Sequence, residues 1–251
     1  MATIVSPGER ARVTVLPVTL DPIKVVAAAQ KNMRGEMVHD LSLISDTEAE
    51  ELFLDVCKTE LAGALEFVHF VIQFDGFTRA FQQQLTRTRL ASYSAESLRF
   101  TESGMEVLAG PHLVEVDRQW HADNDRAIDY GLSVKTGLCP MDVYKTTMDA
   151  VEGTYGTLIA AGVPTEDARG VLPLNVLSKI GMCVSYKTLV SMSRVRMCYQ
   201  SQEGEWGFAF AQIAQQLEAI HPLLVHPLGA FCDAGISCPF GSILDRKCER
   251  R

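Results

Sequence analysis

The chain has 251 residues, with 23 lysines and arginines against 31 aspartates and glutamates, for a formal charge of -8. Its average apolar and charged content excludes a disordered, collagen-like or low-complexity polymer. An acidic balance also argues against a nucleic-acid coat, which needs many cationic contacts, yet leaves room for a small phosphorylated ligand held by a few arginines.

In chain order, the β-branched run 13–20 ends at Asp21-Pro22 and predicts a strand. Residues 23–32 carry Ile23, Val26, Ala27 and Gln30 at helical spacing and predict a short helix. A longer helix is predicted over 46–65, capped by Asp46 and with acidic residues in its first turn. Residues 67–74 read as a strand closed by an Asp75-Gly76 turn, and 77–88 as a helix with Phe77, Phe81 and Leu85 spaced by four. The pattern loosens over 100–140. A long helix over 141–161 ends at Gly162, a normal C-terminal cap. Further helices are predicted over 175–202 and 208–220, before a tail from 221 to 251 rich in Gly, Pro and Cys.

Cysteines 57, 139, 183, 198, 232, 238 and 248 are odd in number, scattered and without a C-x-x-C pair. That usage predicts free thiols, a cytoplasmic setting and no metal site. No apolar run is long enough to span a bilayer, so no membrane partner is expected. Neither a repeat nor a linker divides the chain, and one domain over 1–251 is expected.

Chemistry concentrates at 84–100, where Arg87, Arg89 and Arg99 stand among hydroxyl residues. Guanidinium forks and short hydroxyl donors suit phosphate and carbonyl oxygens. Composition alone also allows a solvated helix end carrying surface arginines. On the stretch 186–196, helical arithmetic puts Lys187, Ser191 and Arg194 on one face, with Leu189, Met192 and Tyr199 opposite. Arg196 falls on that apolar side, a costly place for a charge unless it is paired or faces a ligand.

The 84–100 segment resembles the signature of flavin-dependent thymidylate synthases, R-H-R-x-x-S-x-N-x-x-S-x-R-Y with a glutamine three residues ahead. Gln84, Arg87, Arg89, Ser92, Ser97 and Arg99 fall on it without a gap. A second block, from Gly162-Val163-Pro164 through Ala168-Arg169 to Leu172-Pro173-Leu174-Asn175, is similar to the family's G-V-P-x-x-x-A-R-x-x-L-P-L-N. A third match is the helix leading to Arg196.

The resemblance implies a single α/β (α+β) domain with a mixed or antiparallel sheet and long helices. It implies reductive C5-methylation of a uracil nucleotide, dUMP to dTMP or UMP to 5-methyl-UMP. FAD would be the cofactor, NADPH the reductant and methylenetetrahydrofolate the carbon donor. By the same resemblance Arg196 would activate the uracil, while Gln84, Arg87, Ser97, Arg99 and Arg169 would hold the nucleotide. Arg87, Thr88, Arg89, Ser185, Lys187 and Ser191 would line the flavin. The family's homotetramer, with active sites shared between chains, would also be expected.

Departures are concentrated around the flavin and the substrate loop. Thr88 replaces the motif histidine, Ser94 the asparagine and Phe100 the final tyrosine. Ala95 stands where many members carry glutamate, although Glu96 is adjacent. A family H-E-T-P-x-E-H segment before the strand is replaced by residues 61–67. Three readings remain open: a divergent thymidylate synthase, a UMP methylase of the kind that serves nucleoside-antibiotic synthesis, or a non-catalytic nucleotide- or flavin-binding protein on the same fold.

Overall fold

The computed structural model describes residues 2–6, 8–59, 62–101, 104–122, 139–198 and 204–239. It begins with strands β1 (Thr3–Val5) and β2 (Arg12–Pro17) and helices α1 (Pro22–Met33) and α2 (Asp46–Cys57). Strand β3 (His69–Thr78), helix α3 (Arg79–Leu85), strands β4 (Ala91–Ala95) and β5 (Glu106–Leu108) and helix α4 (Pro111–Ala122) follow. Helices α5 (Pro140–Ala160) and α6 (Thr165–Ala168) lead to strand β6 (Leu177–Ser185) and helices α7 (Tyr186–Arg196) and α8 (Glu205–Ile220). Tyr199 and Cys248 lie outside the described residues, as does the end of the tail. No helix among the described residues is long and apolar enough to cross a membrane.

The expected mixture of helices and sheet is present. A four-stranded sheet runs in the order β2-β3-β6-β4, and β1 pairs in parallel with β5. Antiparallel register in the larger sheet follows from its hydrogen bonds. Val18 N donates to His69 O at 3.3 Å, Tyr186 N to Val68 O at 2.7 Å and Arg79 N to Val176 O at 3.1 Å. The chain groups into two compact units, one of Met1–Ala11, Asp75–Leu85 and Ala95–Ile180, the other of Arg12–Phe74, Thr86–Ser94 and Gly181–Arg251.

In the first unit Met105, Val107, Met148, Tyr155, Ala168 and Val176 form the core. Asn175, the last residue of the second sequence block, donates to Leu108 O at 3.3 Å and also bonds Tyr144, tying its loop to β5 and α5. Gly162 ends the long helix as expected, with φ +82 and its N–H donating to Ile159 O.

In the second unit Tyr186 sits fully buried against Phe53 and Phe70, at 6.2 and 6.0 Å between ring centroids. Its hydroxyl donates to Leu224 O at 2.6 Å, and burial pushes the phenol well above its ordinary range. Gln216 ties α8 to β2 through 2.8 Å bonds to Val15 N and Val13 O.

Several predicted elements need correction. The helix expected over 46–65 stops at Cys57, because Ala62 takes a left-handed conformation and 63–67 tighten into a 3-10 turn. Its cap is Ser45, whose hydroxyl accepts from Glu48 N, whereas Asp46 pairs with Lys24 at 2.8 Å. Asp75-Gly76 does not end its strand, since β3 continues to Thr78. Gly76 (φ +73) allows this, as a Cβ there would meet Arg10 O at 2.6 Å. The helix expected over 77–88 is confined to α3, since Phe77 and Thr78 are buried in the strand. The helix expected over 175–202 is a strand and then a helix. In β6 Ser178, Ile180, Met182 and Val184 all point into the core, a period of two that places alternate residues inward. The loose region also holds β5 and α4.

Candidate active site

Within the second unit a cleft of about 430 Å³ opens between two segments far apart in sequence. Glu66, Thr88, Arg89 and Leu90 line one side; Lys187, Thr188, Ser191, Met192, Val195 and Arg196 of α7 line the other. Ser185 starts that helix, its hydroxyl accepting from Thr188 N at 3.3 Å. The cap fixes the helix entrance, so residues 187, 188, 191, 192, 195 and 196 fall on consecutive turns of one wide face. Tyr93 donates to Thr88 O at 2.8 Å and holds the opposite loop.

Five of the predicted residues thus converge: Thr88, Arg89, Lys187, Ser191 and Arg196. The helical arithmetic needs one correction. Arg196 and Met192 share the cleft with Lys187 and Ser191, and it is Arg194 that turns away, donating to Gly229 O at 3.2 Å. Ser185 is placed as the helix cap and is not among the lining residues.

Among the described residues the cleft lining is cationic, with one acid. Lys187 Nζ lies 2.7 Å from Glu66 Oε1, an ion pair open to solvent. Arg196 is half buried, and its guanidinium carbon stands 4.1 Å from the centroid of the Trp206 ring. Burial lowers the Arg196 pKa, and the like charge of Arg87 lowers it further. Arg87 is therefore close enough to Arg196 to be felt, although it is not part of the cleft wall. Leu90, Met192 and Val195 supply an apolar surface. Cations and hydroxyls beside such a surface are what a planar, phosphorylated ligand requires.

The remaining predicted residues belong to the first unit. Arg99 Nη2 lies 2.9 Å from both carboxylate oxygens of Glu166. Arg169 Nε donates to the Glu166 carbonyl at 3.0 Å, so both arginines gather at the start of α6. Ser97 opens the turn before Arg99, accepting from Arg99 N at 3.4 Å. Gln84 sits near the end of α3.

Sequence reasoning missed Glu66 and Trp206. Glu66 lies in the segment that departs from the family pattern, and its only signal was an acid near a cationic stretch. Trp206 lies just ahead of the helix predicted over 208–220 and was not singled out.

Known proteins resemble this chain in sequence and in fold. The chain matches the profile of the family described as Thy1, thymidylate synthase complementing protein, over residues 14–223. It belongs to that family. It is 26% identical over 237 residues to the flavin-dependent thymidylate synthase of Geobacter sulfurreducens, covering 92% of each chain. It is 27% identical over 241 residues to that of Clostridium tetani, again covering 92% of each. Among solved structures, the fold is similar to the UMP/dUMP methylase PolB from Streptomyces cacaoi bound with 5-Br dUMP, with a TM-score of 0.66 and 17% identity. That likeness covers 94% of this chain and 100% of the other. The 5-Br UMP complex of the same methylase gives a TM-score of 0.65.

Proposed function

We propose that this protein is a flavin-dependent methylase that transfers a one-carbon unit from methylenetetrahydrofolate to C5 of a uracil nucleotide, with NADPH as reductant. The observation that carries this reading is the convergence of Thr88, Arg89, Lys187, Ser191 and Arg196 on one cleft, from segments about a hundred positions apart. Kinship with flavin-dependent thymidylate synthases supports the same chemistry.

The donors of the cleft fit an FAD molecule. Arg89 and Lys187 would hold its phosphates, Thr88 and Ser191 would supply shorter donors, and Leu90, Met192 and Val195 would support the flat ring. Bound there, FAD would supply hydride to the reaction. Arg87 would hold flavin and nucleotide together. Arg196 would sit against the uracil edge and stabilise the negative charge that develops there as N3 loses its proton. Gln84, Ser97, Arg99 and Arg169 would hold the nucleotide phosphate and base oxygens, and Ser185 would act through the helix it caps. The catalytic unit would be one domain assembled as a homotetramer with shared sites, working in the cytoplasm on a small nucleotide.

Ser94 and Ala95, both exposed and smaller than the family's asparagine and glutamate, favour room beside the sugar. UMP would then be accepted alongside dUMP. The decisive experiment is direct. The purified protein with FAD should be yellow, be bleached by NADPH, and convert dUMP and UMP to C5-methylated products with methylenetetrahydrofolate. A protein that stays colourless with added FAD would overturn the reading, and a strong preference for dUMP would overturn the ribonucleotide clause. Bound FAD without turnover would return the chain to the non-catalytic alternative.

A further inference from the structure

Arg196 is the last residue of α7. Trp206, in the first turn of α8, supplies a surface for it. The indole is only 4% exposed and packs against Phe210 at 6.3 Å, and Gln216 ties the same helix to β2. The ring is therefore a fixed wall, and the guanidinium lies over it at 4.1 Å, well inside cation–π range.

A carboxylate in that place would also hold an arginine, but it would cancel the charge. An aromatic face attracts the cation through its quadrupole and does not itself neutralise it. Arg87 acts in the same sense, because its like charge raises the gain from a negative ligand at Arg196.

Resting on the functional reading above, we infer that Trp206 is a positioning residue that fixes the Arg196 guanidinium against the uracil without itself neutralising it. The predicted signature is a loss in kcat rather than in nucleotide KM, because the orientation of Arg196 matters most as charge develops.

The test compares W206F, W206Y and W206L in the FAD-loaded protein. W206L should lower kcat roughly tenfold, equivalent to about 1.4 kcal/mol of transition-state stabilisation. Its KM should stay within about twofold, while W206F and W206Y recover most of the rate. Equal rates for W206F and W206L at equal melting temperature would overturn the inference. A second arm needs no turnover. The chain has two tryptophans, so W120F leaves Trp206 as the sole indole fluorophore. In that background R196M should shift Trp206 emission, and unchanged emission would overturn the contact itself. If the wild type lacks activity but emission shifts, the proposed reaction fails and the Arg196–Trp206 contact stands.

Discussion

At the rim of the cleft, the Lys187 ammonium stands 2.7 Å from the Glu66 carboxylate. One of the cations facing the site is therefore engaged with a neighbouring acid before any anion arrives. Glu66→Gln should release it and make the cleft more positive. Binding of FAD should tighten by roughly two- to fivefold at low salt, since exposed ion pairs are worth little. The gain should fade as ionic strength rises. Fluorescence titration of apoprotein with FAD, at two salt concentrations, measures both. Equal affinity in the two proteins at low salt would refute the competition.

Glu166 stands in the same relation to Arg99. Its carboxylate receives the guanidinium at 2.9 Å, while its carbonyl receives Arg169. On the proposed reading, a nucleotide phosphate held by these arginines would compete with it. Glu166→Gln should lower KM for the uracil nucleotide by about two- to fivefold with kcat little changed. A raised KM would mean that Glu166 orders the two arginines instead of competing for them.

Gly76 has φ +73, and a Cβ would lie 2.6 Å from the Arg10 carbonyl oxygen. Gly76→Ala should destabilise the protein by at least about 2 kcal/mol in urea unfolding, from left-handed strain and backbone overlap together. Gly35 also has positive φ but nothing within 4 Å, so Gly35→Ala isolates the conformational part and should cost less.

Burial pushes the Cys57 thiol up to about 11 from an ordinary 9.0. Alkylation at Cys57 should be slow at pH 8 and accelerate about tenfold per unit up to that value, because only the thiolate reacts. Between about pH 9 and 11 the unfolded chain loses this proton and the folded chain keeps it. This thiol's contribution to stability therefore falls as pH rises through that window. Cys57→Ser should flatten the alkaline limb of a stability curve measured by urea titration.

How much of this was legible in the sequence differs between site and fold. Arg89 stood out as one of several arginines among hydroxyl residues and Arg196 as a charge on an apolar helix side, whereas Thr88, Lys187 and Ser191 were named as ligand-lining only through the resemblance to flavin-dependent thymidylate synthases. The walls behind them were not legible. Trp206 meets Arg196 only because α8 is fixed on β2, a long-range arrangement with no local signal. Strand β6 was misread because Lys179 and Gly181 interrupt its apolar run, and burial of alternate residues becomes visible only against the neighbouring strand. Gly76 shows the converse: a glycine that announces a turn in isolation can instead let a strand pass close beside another backbone.

The bonds around Gly229 have a consequence for how the molecule opens. Its N–H donates to the buried Ser193 hydroxyl at 3.1 Å, and its carbonyl receives both that hydroxyl and Arg194. The Tyr186 hydroxyl makes a second fastening at Leu224. Helix α7 is thus stitched along its length to 224–229 and cannot breathe without it. The two stretches should trade their amide hydrogens for deuterium as one cooperative block, so that loosening the chain near residue 229 also unsettles the arginine at the end of the helix.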